Sequence, residues 1–326
     1  MWSVESLKET PILVNSFNRP HLVALLLEQL RKFGFCNVFF ASDGPRTESE
    51  NIEVKGAIQV YLDFCRQHDL KPRLLSRDQN QGCRQAIKGA IDWFFESVDR
   101  GIILEDDCLP SSRFLNLVSR ALIEERENED IYSISGYDAV NLTGYSHPFR
   151  LSIFPMVWGW GTWSSRWMDY RLDFEDSMEV IRFPSDLLFR KHSNLFFRMQ
   201  WSYLLSRAGN GRINTWDYSL TASSWRSRRF SLQVNGNSVK NLGFGHSATH
   251  TQGLAPQWAR QSISEDEWEN SFEYERVLLK YDEQAIGVDK EIAKRVFGCT
   301  PMGNLKVRAY PYYRILKEKL RIDGIR

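Results

Sequence analysis

Cysteine is scarce in this sequence and forms no recognisable pattern. The five cysteines are widely spaced, and no Cys-x-x-Cys pair occurs among them. An odd, scattered set of thiols predicts neither a disulfide framework nor a zinc site. It favours a reducing compartment.

Long apolar runs and a strong net charge are also lacking. No stretch approaches the ~20 apolar residues that a membrane span requires. The N-terminal MWSVESLKETP has neither the basic start nor the apolar run of a signal peptide. These features predict a cytoplasmic protein. A formal net charge of +1 gives no reason to expect nucleic acid as a partner.

What the sequence does contain is typical of a folded globular protein. It has 326 residues, of which 42% are hydrophobic and 25% charged, enough for one large domain or two small ones. Eleven tryptophans are many, and several fall between Trp158 and Trp167. Aromatic rings fill cores and also stack on sugars, so both interpretations stay open.

The first half of the chain alternates strand-like and helix-like segments. Short apolar strands are predicted at 11–16, 37–41, 71–76 and 101–104. Amphipathic helices are predicted at 21–33, 54–68, 83–95 and 114–128. This alternation predicts an α/β fold with a Rossmann-like, mostly parallel sheet flanked by helices.

The second half is less regular. A strand is predicted at 130–135, a loop leading into a short helix at 157–167, and the start of a helix at 215–225. The segment 231–242 is predicted to form a strand, or a hairpin around Asn235-Gly236.

Polar residues follow three of the predicted strands. Ser16 and Arg19 follow the first, Asp43 ends the second, and the acids at 105–107 end the fourth. Because ligands of parallel sheets bind beyond the carboxyl ends of the strands, these side chains are expected to meet at one edge. That convergence predicts a binding site.

The acidic motif Glu105-Asp106-Asp107 carries the most chemical information. Three successive acids after the buried strand GIIL repel one another, which is costly unless a cation or hydrogen-bond donors compensate. Hard oxygen ligands suit Mg²⁺ or Mn²⁺, which in turn bind diphosphates. The alternative is a solvated acidic turn.

The run NQGCRQAIKGAIDWFFESVDRGIILEDDCLPSSRFL, from Asn80 to Leu115, resembles the nucleotide-sugar glycosyltransferases with the GT-A fold. It is most similar to the N-acetylglucosaminyltransferase I-like branch, and it also resembles bacterial glycosyltransferases of surface-polysaccharide assembly. The segments DIYSISGYD, FPMVWGWGTWSSRW, TWD and GFGHSATHT follow in the same order. The similarity spans residues 12–251.

The resemblance implies one GT-A domain over residues 1–300, with a nucleotide-sugar-binding half (1–130) and an acceptor-binding half (131–300). Its expected activity is an inverting, Mn²⁺- or Mg²⁺-dependent transfer of a sugar from a nucleotide-diphosphate donor to a hydroxyl of a glycan or lipid-linked glycan. The sequence has no N-terminal membrane anchor, which favours the bacterial, cytoplasmic analogy. The basic tail at 301–326 is expected either to contact an anionic membrane or to form a solvated helix.

For the acids and histidines, the resemblance implies specific roles. Asp107 corresponds to the direct metal ligand, while Glu105 and Asp106 would contact the donor sugar or ribose. His250 corresponds to the family's closing histidine, expected at the metal or phosphate. His246 is the alternative, and a structural histidine remains open for both.

Four further residues are candidates for donor binding. Asp43 would accept from a base N–H or ribose hydroxyl, or else merely form the turn after its strand. Arg84 would pair with phosphate bidentately, or form a surface salt bridge. Ser16 and Arg19 would contact the nucleotide, or cap the next helix.

Trp216-Asp217 matches the Trp-Asp of the family, in which the aspartate is the general base. Trp216 itself is a candidate for the donor-binding site. An inverting transferase needs such a carboxylate to take the acceptor proton. The alternative for Asp217 is a helix N-cap, in which case Asp138 or Asp169 would be the next candidates.

Two tryptophans of the glycine-rich segment are the last candidates. Trp158 and Trp160, spaced by glycines, are predicted on a mobile loop with rings exposed to a sugar, although core filling is the alternative.

Two other functions fit parts of the pattern. A sugar nucleotidyltransferase also combines a doubly wound sheet with metal-binding carboxylates, but it usually has a Gly-rich basic loop after the first strand, and NSFNRP has no glycine. A degenerate transferase acting as a carbohydrate-binding protein is the non-enzymatic alternative, against which the intact acidic motif and Asp217 argue.

Overall fold

The computed structural model describes residues 7–141, 147–173, 177–189, 194–244, 255–260, 262–263 and 279–301. The strands are β1 (Ile12–Ser16), β2 (Val38–Ser42), β3 (Leu74–Ser76), β4 (Arg100–Glu105), β5 (Cys108–Pro110), β6 (Ile131–Ser135), β7 (Phe149–Ser152), β8 (Trp160–Trp163), β9 (Phe230–Val234) and β10 (Val239–Asn241). The helices are α1 (Pro20–Lys32), α2 (Glu48–Gln67), α3 (Gly82–Phe95), α4 (Ser112–Glu124), α5 (Ser164–Trp167), α6 (Ser177–Phe189), α7 (Leu195–Gly209), α8 (Asp217–Arg226) and α9 (Glu283–Arg295), with a 3₁₀ turn at Gln257–Ala259.

The centre of the molecule is an eight-stranded sheet in the order β3-β2-β1-β4-β8-β6-β9-β7. Strands β3, β2, β1 and β4 run parallel to one another, and β6 runs parallel to β9. Strand β8 is antiparallel to both β4 and β6, and β7 is antiparallel to β9. The predicted α/β class with a mostly parallel sheet flanked by helices is therefore confirmed.

The first half follows the predicted alternation of strands and helices closely. The main difference is α2, which begins at Glu48, well before the predicted Val54. Thr47 caps it by accepting from the Glu50 backbone N–H at 3.3 Å, and the Glu50 carboxylate accepts from the Arg46 backbone N–H at 2.8 Å. Thr-x-x-Glu is a capping signal that the sequence carries openly.

The segment 157–167 is not the predicted loop, because its middle forms the buried strand β8. Gly161 makes this possible: a Cβ there would lie 2.9 Å from Val118 Cγ1 of α4, so only glycine lets the helix pack this closely. Gly159 has φ +71°, in the left-handed region, and its own Cβ would lie 2.7 Å from Val239 Cγ2. Close packing, not mobility, is the reason for both glycines.

The predicted hairpin around Asn235-Gly236 does not form. Strand β9 joins the large sheet, whereas β10 leaves it and pairs antiparallel with β5, directly after the acidic motif. Asn235 holds the turn between them, since its side chain donates to the His147 carbonyl at 2.8 Å and accepts from Arg150 Nη1 at 2.6 Å. This turn directs the chain from the end of β9 towards the acidic motif.

A second apolar cluster lies between the β7 side of the sheet and the later helices. Trp201 of α7 and Trp225 of α8 meet edge to face with ring centroids 4.4 Å apart, and Phe154 stacks on Trp201. The Trp225 indole N–H donates to the Ile153 carbonyl at 2.7 Å. Many of the eleven tryptophans therefore fill cores.

Helix α9 is attached to this region through a fully buried carboxylate. Asp289 accepts from Ser152 Oγ at 2.6 Å, from the Ile153 backbone N–H at 2.8 Å and from the Tyr281 hydroxyl at 2.7 Å. Three hydrogen bonds satisfy most of its acceptor capacity.

This carboxylate is expected to make stability depend on pH. Burial raises the pKa of Asp289 to about 6, so the folded state holds the proton more tightly than the unfolded chain. The protonated Asp289 side chain therefore adds to the unfolding free energy. This contribution is complete below about pH 4 and is lost as the pH rises through 6. In urea denaturation across this range, the unfolding free energy of wild type should fall relative to that of Asp289→Asn. Parallel pH profiles of the two proteins would contradict this.

None of the helices that the structure describes has the length and apolar character needed to cross a membrane.

Candidate functional site

A cavity of about 250 Å³ opens at the carboxyl edge of the parallel strands. The ends of β1, β2 and β4 all contribute polar side chains to its lining, as the sequence predicts. These are Asn15, Ser16, Asp43, Glu105, Asp106 and Asp107.

The acids are placed by the pairing of β4 with β1. Asn15 lies opposite Glu105, and the Asp106 backbone N–H donates to the Asn15 carbonyl at 2.9 Å, which continues the ladder past the strand end. The Asp106 carboxylate is buried and accepts from Ser16 Oγ at 3.1 Å and from Arg19 Nη2. Arg19 Nη1 donates to Asp107 Oδ2 at 2.8 Å. Ser16 and Arg19 are thus directed to the acids, and neither side chain caps α1.

Glu105 differs from its neighbours in having no side-chain hydrogen bond within the described part of the chain. Burial raises its pKa to about 8, and the charges of Asp107 and Asp106 add to the effect. Burial also raises the pKa of Asp106 to about 6, against the opposing effect of Arg19. A cation in the cavity would lower both pKa values by favouring the ionised carboxylates.

The second half of the chain supplies one wall of the cavity. The Leu242 backbone N–H donates to the Asp107 carbonyl at 2.8 Å, which extends the pairing of β10 with β5. Gly243 then passes so close to Asp107 that a Cβ would lie 2.1 Å from its Oδ2. Phe244 follows in the lining and contacts the ring of Trp158 edge to face at 5.5 Å.

Asp43 lines the cavity and also holds its rim. Its Oδ1 accepts from the backbone N–H groups of Gly44 at 2.9 Å and Gln81 at 3.0 Å, and its Oδ2 from that of Gly82 at 3.1 Å. Asp43 therefore stabilises the turn after its strand, which was the alternative to a role in ligand binding. An ionised carboxylate has about four acceptor positions, so one remains for a ligand.

Arg84 is not placed at the cavity, which corrects its expected role at the phosphates. Its Nη2 donates to Asp173 Oδ1 at 2.7 Å and to the Leu172 carbonyl at 2.8 Å. The salt-bridge alternative describes this arrangement, since Arg84 and its partner Asp173 both lie outside the cavity lining. Arg46 lines the cavity instead, and the sequence analysis missed it. Its signal was present: it follows the strand-end turn that contains Asp43.

The three candidate tryptophans separate into two kinds. Trp158 is half-buried in the cavity wall, edge to face with Tyr137 at 4.4 Å and stacked on Trp258 at 5.4 Å. Trp160 and Trp216 are 1% and 2% exposed and stack on each other at 5.6 Å. The prediction that the ring of Trp160 is exposed is wrong, because β8 packs this ring into the core. The ring of Trp216, at the start of α8, is packed into the core as well. In this arrangement neither ring can contact a ligand.

Asp217 is the first residue of α8 and is not itself part of the cavity lining. Its Oδ1 accepts from the Tyr218 backbone N–H at 2.8 Å and from Thr215 Oγ1. Burial raises the pKa of Asp217. Its charge contributes, after burial and nearer charges, to the raised pKa of two cavity residues, Glu105 and Cys83. The carboxylate therefore accepts from an N–H of the first turn of α8, although Trp216 is the N-cap residue, and its charge acts on two residues of the cavity lining.

The two alternative bases lie elsewhere. Asp138 is fully buried in an ion pair with Arg150, 2.9 Å from its Nη2. Asp169 pairs with Arg229 at 2.6 Å. Neither lines the cavity.

The sequence matches no family model and no curated protein. What the chain does must therefore be argued from its site.

Two predicted features fall outside the described residues. His250 and its alternative His246 both lie there, and so do residues 302–326 of the basic tail. Within the described ranges, no group of three or more His, Cys, Asp or Glu side chains is arranged to hold a metal ion. Any cation bound here would need oxygen ligands from water or from a second ligand as well.

The two kinds of tryptophan are expected to respond differently to truncation. Trp160→Ala empties a fully packed position and should lower the unfolding free energy by about 3–5 kcal/mol. Trp158→Ala removes a half-buried ring from the cavity wall and should cost clearly less. Urea denaturation of both variants measures the difference. Equal losses in the two variants would mean that Trp158 is as much a core residue as Trp160.

Proposed function

We propose that the chain is an inverting, metal-dependent glycosyltransferase of the GT-A type, which transfers a sugar from a nucleotide-diphosphate donor to a glycan hydroxyl. One observation carries the proposal. Side chains from three parallel strand ends and from the later segment 239–244 enclose a single cavity in which carboxylates and guanidinium groups meet. Such a cavity suits a ligand that carries both phosphates and hydroxyls.

The charge of the cavity supports a metal-bridged diphosphate. Its lining has four carboxylates, Asp43 and the acids at 105–107, against the two guanidinium groups of Arg19 and Arg46. With all of them ionised, the excess of negative charge would repel a diphosphate. A divalent cation removes that repulsion, because it attracts both partners.

The residues present fit Mn²⁺ or Mg²⁺ as a shared ion rather than a caged one. Asp107 and Glu105 offer carboxylate oxygens in the cavity lining, the donors that these hard cations prefer. Mg²⁺ commonly keeps several waters and is held by one or two carboxylates together with substrate phosphates. When bound, the ion would supply charge neutralisation of the diphosphate leaving group.

The rest of the site provides for the acceptor. Trp158, with Phe244 and Trp258 beside it, forms an aromatic wall on which a sugar ring would stack. Asp217 would take the proton from the attacking hydroxyl. Its raised pKa favours this, since a carboxylate that holds a proton more tightly is a stronger base.

A thermal-shift panel of UDP, GDP, dTDP and CMP, with the corresponding nucleoside triphosphates and free monosaccharides as further samples, each with and without Mn²⁺, tests the donor site. One nucleoside diphosphate should raise the melting temperature, and only with metal, by linkage worth ~2.7 kcal/mol at a hundred times its Kd. Stabilisation only by a nucleoside triphosphate would indicate a nucleotidyltransferase. Sugar binding without nucleotide binding would indicate a carbohydrate-binding protein. Either result would overturn the proposal.

A further inference from the structure

Arg19 bridges two adjacent acids of the motif with one guanidinium group. Nη2 contacts Asp106 Oδ1, and Nη1 lies 2.8 Å from Asp107 Oδ2. The Arg19 side chain is only 14% exposed, so water screens these contacts weakly. The guanidinium charge of Arg19 is therefore held between two carboxylates, at the position where the cavity is most acidic.

The oxygen that Arg19 contacts on Asp107 is also the most crowded one. The backbone of Gly243 also lies against Asp107 Oδ2, since a Cβ there would approach it to 2.1 Å. The other oxygen, Oδ1, lies 3.6 Å from Cys108 Sγ, a weak donor. A divalent cation at ~2.1 Å from Oδ2 would therefore meet the guanidinium group directly. A cation on Oδ1 of the same carboxylate would still lie close enough to the guanidinium group for the two positive charges to repel.

We propose that Arg19 is an internal cation that competes with the divalent metal for Asp107, so that the metal binds only when the guanidinium group releases this carboxylate. This inference rests on the proposed metal-dependent donor site and adds a residue that sets its metal affinity.

The structure indicates how Arg19 would move without leaving the site. Asp106 is more buried than Asp107, and Ser16 fixes its carboxylate from the other side. Arg19 would thus keep Asp106 and give up Asp107. Arg19 Nε has no hydrogen-bond partner within the described residues, which leaves a donor for a phosphate oxygen after such a rotation. Release from Asp107 would then favour diphosphate binding in the same step.

The experiment is a titration of each protein with Mn²⁺ alone, in which electron paramagnetic resonance measures the free ion. Arg19→Ala should bind Mn²⁺ about tenfold more tightly than wild type. Arg19→Lys should bind about threefold more tightly, because a single ammonium group cannot bridge both acids. The lysine variant also keeps a positive charge beside Asp106. It therefore serves as the test if Arg19→Ala does not fold.

Arg84→Ala is the matched control. The Arg84 side chain is about as little exposed as that of Arg19 and also pairs with an aspartate, but Arg84 and its partner Asp173 both lie outside the cavity lining. Its removal deletes one positive charge without freeing Asp107. Its Mn²⁺ affinity should stay within about twofold of wild type, because no acid of the motif loses a partner.

The possible results separate this inference from the proposed function. If wild type and both Arg19 variants bind Mn²⁺ equally, the competition is wrong and the metal site stands. If only the Arg19 variants bind, the competition is supported, and the nucleotide panel with and without Mn²⁺ decides the metal dependence of wild type. If none binds, the competition is wrong, and the same panel decides whether a metal-dependent donor site exists. An equal gain in Arg84→Ala would overturn the specific role of Arg19.

Discussion

Asp217→Asn is expected to lower sugar transfer by about 10²–10⁴-fold while leaving donor affinity almost unchanged. The amide keeps the size of the side chain and can still accept from the Tyr218 backbone N–H and Thr215 Oγ1. It cannot take a proton from the acceptor hydroxyl. The comparison is made on initial rates with saturating donor, together with the Kd of the nucleotide.

The pH profile of this variant gives a second readout. Transfer by wild type should fall as the pH drops through the pKa of Asp217, because the protonated acid is no longer a base. That acidic limb should be absent from the residual activity of Asp217→Asn.

A purely structural role predicts the opposite pattern for Asp217→Asn. A helix cap would give a stability loss of about 1 kcal/mol with normal turnover per folded molecule. Asp169→Asn is the matched control, since it makes the same chemical change in a carboxylate paired with Arg229, away from the cavity. Near-normal turnover from a slightly destabilised Asp217→Asn protein would remove the residue from the mechanism.

Asp107→Ala is expected to abolish the Mn²⁺-dependent part of nucleotide binding and reduce transfer to background. The carboxylate is the acid of the motif nearest the segment 239–244, and its loss removes an oxygen donor that a shared Mn²⁺ ion would use. The fold should survive, because Arg19 retains its contact with Asp106. Calorimetric titration with the nucleoside diphosphate, with and without Mn²⁺, measures the metal-dependent part directly.

The control for this prediction is Asp173→Ala. Asp173 is exposed and its carboxylate pairs with Arg84 outside the cavity, so its removal changes net charge by the same amount without touching the acids. Metal-dependent binding should be unchanged. If wild type and Asp107→Ala bind the nucleotide equally well and show no effect of Mn²⁺, the metal assignment is wrong.

Much of the first half of the fold could be predicted because its information is local. The apolar runs of β1, β2 and β4, and the helical periodicity of α1 and α3, each depend on residues close together in the chain. The rule that parallel strands present their carboxyl ends at one edge then brings Asp43 and the acidic motif together. The cavity contains both.

The errors arise where distant segments decide the outcome. The glycine and tryptophan pattern of 157–163 is compatible with a flexible loop until α4 packs on Gly161 and β8 inserts between β4 and β6. Arg84 had two candidate partners, and only the tertiary structure brings Asp173 within 2.7 Å of it.

The sequence by itself determined the α/β class and the strand-end position of the acids, because these follow from short-range periodicity and residue type. Only the tertiary structure decided which cations those acids meet. Arg19 reaches Asp106 and Asp107 across almost ninety residues of chain, and the wall at 239–244 comes from farther still. Contacts between residues so far apart in the chain depend on the order and register of the strands. Neither can be predicted from the local sequence around the residues in contact.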